Sequence, residues 1–163
     1  MKKILMIHIS GNGDSEYNLG NFSFMIAKEI EKLNGVPSPS VFSFDGVVTD
    51  FQKFFKEKEG IDISFEKMKR IIDVFENEEN LKSRYCAQKI KKRLQDSDES
   101  IIILYGEGNA DKIKDLLNGE YAVSVKRIEV KNPDTSKSKV LFHVRNGIKA
   151  LRKEPKRFKK PTL

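Results

Sequence analysis

The chain has 163 residues, of which 38% are hydrophobic and 34% charged, with a net charge of +7. This length fits one domain with its own core, and the composition is globular rather than disordered. The single cysteine, Cys86, excludes an internal disulfide and favours a reducing, cytoplasmic setting, and no stretch is apolar enough for a membrane span or a secretion signal.

The first predicted element is a buried strand near the N-terminus. Residues 4–9 form an apolar run that ends abruptly in Ser-Gly-Asn-Gly at 10–13. A helical pattern with one apolar stripe follows at 22–33, and Gly35 ends it. A strand, a glycine turn and a helix in this order predict the first half of a βαβ unit.

The next part of the chain is predicted to be mostly helical. After a short strand at 41–44, residues 49–95 follow helical spacing, with a break at Gly60 and a second helix capped by Ser64. The acidic stretch 76–80 interrupts the pattern before a third helix. Since a crossover between parallel strands needs only one helix, the excess is interpreted as an insertion that covers the sheet or as a dimerisation surface.

The second clear strand is predicted at residues 100–105. Its four consecutive aliphatic residues are typical of a strand that is covered on both faces. It ends in Gly-Glu-Gly-Asn at 106–109, a helix is predicted at 110–117, and residues 122–130 alternate as in an edge strand. The predicted fold class is therefore α/β, a Rossmann-like and mainly parallel sheet flanked by helices, with a helical insertion at about 49–95.

The C-terminal quarter is strongly basic. Residues 125–163 hold 13 Lys and Arg against three acidic residues, a net charge of +10, so that the rest of the chain carries −3. This asymmetry indicates an anionic partner such as nucleic acid, unless the tail only increases solubility. Residues 140–151 fit a helix, although Asn-Gly at 146–147 also fits a hairpin. We assign 1–151 to a single domain and 152–163 to a flexible basic tail.

The two loops after the clear strands carry the strongest functional signal. If both strands are parallel in one sheet, the loops lie at the edge where open α/β sheets bind ligands. Glycines there let a ligand approach the backbone, helix-start amides can hold a phosphate, and asparagine side chains suit a base or ribose. The competing interpretation is that the glycines only make tight turns. The candidate ligand-binding residues are Ser10, Gly11, Asn12, Gly13, Asn18, Gly106, Glu107, Gly108 and Asn109.

Several other chemistries are not supported by the sequence. The first loop lacks the lysine of a Walker loop, neither loop is G-x-G-x-x-G, and there is no G-x-S-x-G elbow. His8 and His143 do not form the paired motif of a two-histidine phosphodiesterase, and neither a metal nor a cofactor is predicted. The least demanding reaction is metal-independent attack of an RNA 2′-hydroxyl on its own phosphodiester, with Ser10, Glu107 and Lys112 as candidate catalytic groups.

The opening KKILMIHISGNGDSEYNLGNF, a strand entering a Gly-x-Gly turn with a tyrosine shortly after it, resembles the start of some CRISPR-associated Rossmann-fold (CARF) domains. The resemblance covers residues 2–22 and the general order of strands and helices. It implies that a cyclic oligoadenylate binds across a homodimer, in contact with residues 10–13 and 106–109. It also implies, for some such domains, slow cleavage of the ring without a metal.

Two other classes of function stay open. The basic C-terminal quarter fits a non-enzymatic module that binds nucleic acid or protein. The same sheet edge fits a flavodoxin-like or glycosyltransfer enzyme, although the first loop lacks the hydroxyl-rich phosphate cradle of a flavodoxin.

Overall fold

The computed structural model describes residues 1–11, 19–32 and 38–130, together with 138, 141, 142, 145 and 146. These residues form a four-stranded sheet flanked by five helices, which confirms the predicted α/β class. The strands are β1 (Lys2–Gly11), β2 (Ser40–Ser43), β3 (Ile101–Tyr105) and β4 (Tyr121–Val130). The helices are α1 (Leu19–Glu31), α2 (Gly46–Glu59), α3 (Phe65–Glu79), α4 (Leu81–Gln95) and α5 (Ala110–Leu117).

All four strands are parallel, in the order β2-β3-β1-β4. The central strand β1 pairs with β3 over residues 5–9 and with β4 along its full length. Helices pack on both faces of β1 and β3, and this explains why both strands have continuous apolar runs.

The two faces of the sheet carry different helices. Ile4 and Met6 of β1 pack on the side of α4 and α5, whereas Leu5, Ile7 and Ile9 pack on the side of α1. The chain crosses the sheet in one direction from β1 to β2 and in the opposite direction from β2 to β3 and from β3 to β4. Because βαβ crossovers are right-handed, connections that run in opposite directions across the sheet place their helices on opposite faces.

The strand β4 changes its buried face halfway along. Tyr121, Val123 and Val125 pack on the α5 side, while Ile128 and Val130 pack on the α1 side. The register with β1 nevertheless runs without a slip from the first pair to the last. The apolar residues of β4 therefore move from odd to even positions after Val125 because a different face is covered in each half of the strand.

The predicted helical region contains three helices, of which one belongs to the sheet. The helix α4 packs on the sheet through residues such as Ile90 and Leu94 and is the crossover helix. The helices α2 and α3 form a separate apolar cluster around Val48, Met68 and Ile72. Only α2 and α3 are therefore additional to the βαβ unit.

The helix boundaries confirm two predicted signals and locate a third more closely. Gly60 ends α2 with a φ of 65°, and the Ser64 hydroxyl accepts the Lys67 N–H at 3.2 Å. The interruption predicted within the acidic stretch 76–80 lies at its last residue, because α3 continues to Glu79 and the chain turns at Asn80, with a φ of 55°, before α4. The Glu76 carboxylate accepts the backbone N–H of Lys82 at 2.5 Å and so satisfies a donor in the first turn of α4.

Other predicted boundaries differ slightly. The helix α1 begins at Leu19, three residues before the predicted start, and β2 ends at Ser43 instead of Phe44. The described residues of the ambiguous C-terminal segment (141, 142, 145 and 146) are helical, whereas Gly35 and the tail 152–163 lie outside the described residues. No helix in the described part of the chain is long and apolar enough to cross a membrane.

Candidate functional site

The two glycine loops start from neighbouring strands at the same edge of the sheet. Ile9 of β1 pairs with Tyr105 of β3, and the Gly106 N–H donates to the Ile9 carbonyl at 3.0 Å. The connection after β1 leads to α1 on one face of the sheet, and the connection after β3 leads to α5 on the other. In open α/β sheets, the crevice that binds ligands generally lies where the connections after two adjacent strands lead to opposite faces.

Most of the predicted site residues lie at this edge. Ser10 and Gly11 end β1, Gly106, Glu107, Gly108 and Asn109 follow β3, and Lys112 belongs to the first turn of α5. Asn12, Gly13 and Asn18 lie outside the described residues.

Both glycines of the loop after β3 have structural roles. Gly106 adopts a φ of +106°, which residues with a side chain rarely adopt. A Cβ added to Gly108 would lie 2.3 to 2.5 Å from ring carbons of Phe44, and this phenylalanine is buried. Tight turns and close packing therefore account for these two glycines without a ligand.

Asn109 fixes the start of α5. Its side-chain oxygen accepts the Lys112 N–H at 3.1 Å, which is the hydrogen bond of an N-terminal cap. Glu107, Gly108 and Asn109 are exposed, and Lys112 is partly exposed. The cap thus orients a short polar segment toward solvent beside the end of β1.

His8 lies beneath the loop after β3. Its side chain is 7% exposed, its Nε2 is 2.9 Å from the Gly106 carbonyl oxygen, and its ring meets Phe44 edge-on at 5.2 Å. A carbonyl oxygen only accepts, so Nε2 carries the proton and the neutral ring keeps Nδ1 as an acceptor. Burial lowers the pKa of His8 against the opposing effect of its bond to Gly106, and the charge of Arg127 lowers it further. His8 is therefore a hydrogen-bonded core residue, neutral at pH 7, that connects β1 to the loop.

The lowered pKa of His8 predicts a loss of stability in acid. The unfolded chain binds the histidine proton near pH 6.5, whereas the folded protein binds it only at lower pH. The free energy of unfolding is thus expected to fall as the pH falls below 6.5 and to level off below the folded pKa. Urea unfolding at several pH values should show a flatter profile for His8→Gln, which keeps a donor for the carbonyl. His143→Gln serves as the control, and equal profiles for His8→Gln and the wild type would contradict this prediction.

A charged pair at this edge was missed by the sequence analysis. Arg127 of β4 lies opposite His8 in the register and forms an ion pair with Asp111 in the first turn of α5. Glu129 lies opposite Ser10 in the same register. The sequence does place Arg127 on the α5 side, because position 127 continues the alternation of Tyr121, Val123 and Val125, which pack on that side. Both partners of the pair are more than half exposed, so its effect on stability is small.

The described side chains at this edge have mixed charge. Carboxylates of Glu107, Asp111 and Glu129 lie there beside the cations of Lys112 and Arg127. Among the 13 basic residues of 125–163, the structure describes Lys126, Arg127 and Arg145, and the others lie outside the described residues. An anionic partner for the basic quarter stays a prediction.

A second polar cluster lies beside the end of β2. The Lys82 ammonium is 2.9 Å from Asp73 Oδ1 and 3.4 Å from Asp45 Oδ1, and the Lys82 side chain is 6% exposed. Burial alone would lower the pKa of Lys82, but the two carboxylates outweigh it and hold the pKa above its usual value. The buried cation joins α3, α4 and the turn after β2.

The described residues also bear on metal binding and on thiol reactivity. They contain no group of three or more His, Cys, Asp or Glu side chains that could hold a metal ion. Burial raises the pKa of the Cys86 thiol to about 12, so the thiol is protonated at neutral pH. Its Sγ lies 3.7 Å from the Ser43 carbonyl oxygen, within the packing of α4 on the sheet.

Comparisons of the chain with protein-family models, with curated proteins and with solved structures found no match. The function proposed below therefore rests on the sequence and the geometry.

Proposed function

We propose that the protein binds a nucleotide or oligonucleotide in the crevice between the ends of β1 and β3. The proposal is carried by the parallel pairing of these strands, which brings their carboxyl ends side by side, with α1 packed on one face of the sheet and α5 on the other. In this proposal the ligand contacts Ser10 and Gly11 at the end of β1 and the capped start of α5 after β3.

The groups at this edge suit a ligand that has both phosphates and bases. Lys112 and Arg127 can bind phosphate oxygens, while the Glu107 and Glu129 carboxylates can accept hydrogen bonds from base amino groups. The Ser10 hydroxyl both donates and accepts. Adenine-containing oligonucleotides match this mixed set, and cyclic oligoadenylates, which the resemblance to CARF domains implies, are the first class to test.

Cleavage of such a ring needs no metal. The ribose 2′-oxygen loses its proton and attacks the adjacent phosphorus. The bond from phosphorus to the 5′-oxygen breaks, and the leaving 5′-oxygen takes up a proton. The products are a 2′,3′-cyclic phosphate and a 5′-hydroxyl. In this scheme Glu107 accepts the proton of the 2′-hydroxyl and then gives it to the leaving 5′-oxygen, while Ser10 and Lys112 stabilise the phosphorane charge.

Binding is tested by thermal shift and calorimetry with cyclic oligoadenylates, cyclic dinucleotides and linear oligoadenylates. We expect the melting temperature to rise, and to level off at high ligand concentration, with one of these classes of ligand. Ser10→Ala is expected to weaken binding about fivefold, since one ligand hydrogen bond contributes about 1 kcal/mol. Ser124→Ala, an exposed serine on the neighbouring strand β4, is the matched control. Chromatography of the ligand after incubation with a chelator then reports cleavage. No shift with any of these ligands would contradict the proposal.

The basic quarter supports a second candidate, a nucleic-acid-binding module, and truncation separates the two. Binding in the crevice should survive removal of residues 152–163. Binding through the tail should disappear with them, and before truncation it should weaken steeply as salt is raised, because counterions are released from the nucleic acid.

A further inference from the structure

The outer side of α3 exposes apolar side chains without a described partner element. Ile71 is 42% exposed, Val74 56% and Phe75 43%, whereas Met68 and Ile72 on the inner side are each 1% exposed. The inner residues pack with α2 and α4 in the apolar cluster of the insertion. The outer side chains are therefore available to a second molecule.

Two opposite charges flank this apolar surface. Lys67, Ile71, Val74 and Glu78 are spaced i, i+4, i+7 and i+11, the spacing of the contact positions in a two-stranded coiled coil. We name these four residues the α3 stripe, with Phe75 beside it. Its lysine lies near the N-terminal end of the helix and its glutamate near the C-terminal end, and both are exposed.

We propose that the α3 stripe binds the α3 stripe of a second copy of the chain, with the two helices antiparallel about a two-fold axis. In that arrangement Ile71 faces the partner's Val74 at the centre of the seam. Lys67 faces the partner's Glu78 at each end, so both ends pair opposite charges. A parallel pairing would instead place lysine against lysine and glutamate against glutamate, which is unfavourable.

The dimer is expected to be weak and independent of the ligand site. The α3 stripe runs from Lys67 to Glu78, so the seam spans about three turns, and for a contact this short we expect a Kd on the order of 10 µM. The α3 stripe belongs to the α2–α3 insertion and not to the crevice between β1 and β3. An experiment can therefore contradict the proposed dimer without contradicting the proposed ligand binding, and the reverse.

Sedimentation velocity of the full chain over about 1 to 200 µM tests the proposal. The wild type should pass from monomer to dimer in this range. Lys67→Glu and Glu78→Lys should each weaken the dimer by about tenfold, since each creates two like-charge contacts. An equimolar mixture of the two variants should regain the dimer, because the new glutamate at position 67 then meets the new lysine at position 78.

Lys114→Glu, a charge reversal at an exposed position on α5, is the matched control and should leave the dimer unchanged. Circular dichroism verifies that each variant is folded. A wild type that stays monomeric at the highest concentration would overturn the proposal and leave the stripe to a different partner. Dimerisation that is insensitive to both reversals, or a mixture that fails to recover, would also overturn it.

Discussion

Replacing Lys82 with methionine is expected to lower the free energy of unfolding by about 2 kcal/mol, measured by urea unfolding. Methionine has a similar shape but no charge, so the Asp45 and Asp73 carboxylates would face each other's charge without the cation between them. Removing one member of a fully buried ion pair costs about 3 to 5 kcal/mol. We expect only about 2 kcal/mol for Lys82→Met because Asp73 is 47% exposed and water screens its charge.

The same helix provides a matched control for Lys82→Met. Lys89, also on α4, pairs with Asp50 at 2.6 Å, but its side chain is 48% exposed. Lys89→Met should therefore cost less than about 1 kcal/mol. Replacing Lys82, Asp45 and Asp73 together by methionine and two asparagines should recover part of the loss, since no uncompensated charge is left. If Lys82→Met were no more destabilising than Lys89→Met, the buried cation would not be what joins α3 and α4 to the turn after β2.

The elements that the sequence predicted well are those specified by local signals. The buried runs of β1 and β3, the cap at Ser64 and the bounds of α5 each depend on residues within a few positions of one another. The exact position of the turn before α4, at Asn80, was not predictable from the helical period, and neither was the bond from Glu76 to the Lys82 N–H across that turn.

The candidate site was only partly predictable for a related reason. Glycines at the ends of two strands can be read from the sequence, but the strand order that makes them neighbours depends on crossover geometry. The pairs His8–Gly106 and Arg127–Asp111 join segments that only the fold brings together. The fold also brings Gly108 against the ring of Phe44, so that close packing requires a glycine that the sequence suggested for ligand binding.

Gly108→Ala is expected to destabilise the protein by about 2 kcal/mol, because the added methyl group would overlap the buried ring of Phe44 and force it or the loop to move. Gly46→Ala is the matched control. No atom lies within 4 Å of a Cβ at Gly46, and its φ is ordinary, so the change should be neutral or slightly stabilising.

A double-mutant cycle with Phe44→Ala separates packing from any other role of this glycine. Phe44→Ala alone should cost about 3 to 5 kcal/mol, since the ring is 1% exposed. In that background Gly108→Ala should cost at least about 1 kcal/mol less than in the wild type, because the methyl group enters the vacated space. Additive losses would show that the ring is not the obstacle. If the glycine also admits a ligand to the backbone, Gly108→Ala should still weaken nucleotide binding in the Phe44→Ala background, where the steric reason for the glycine has been removed.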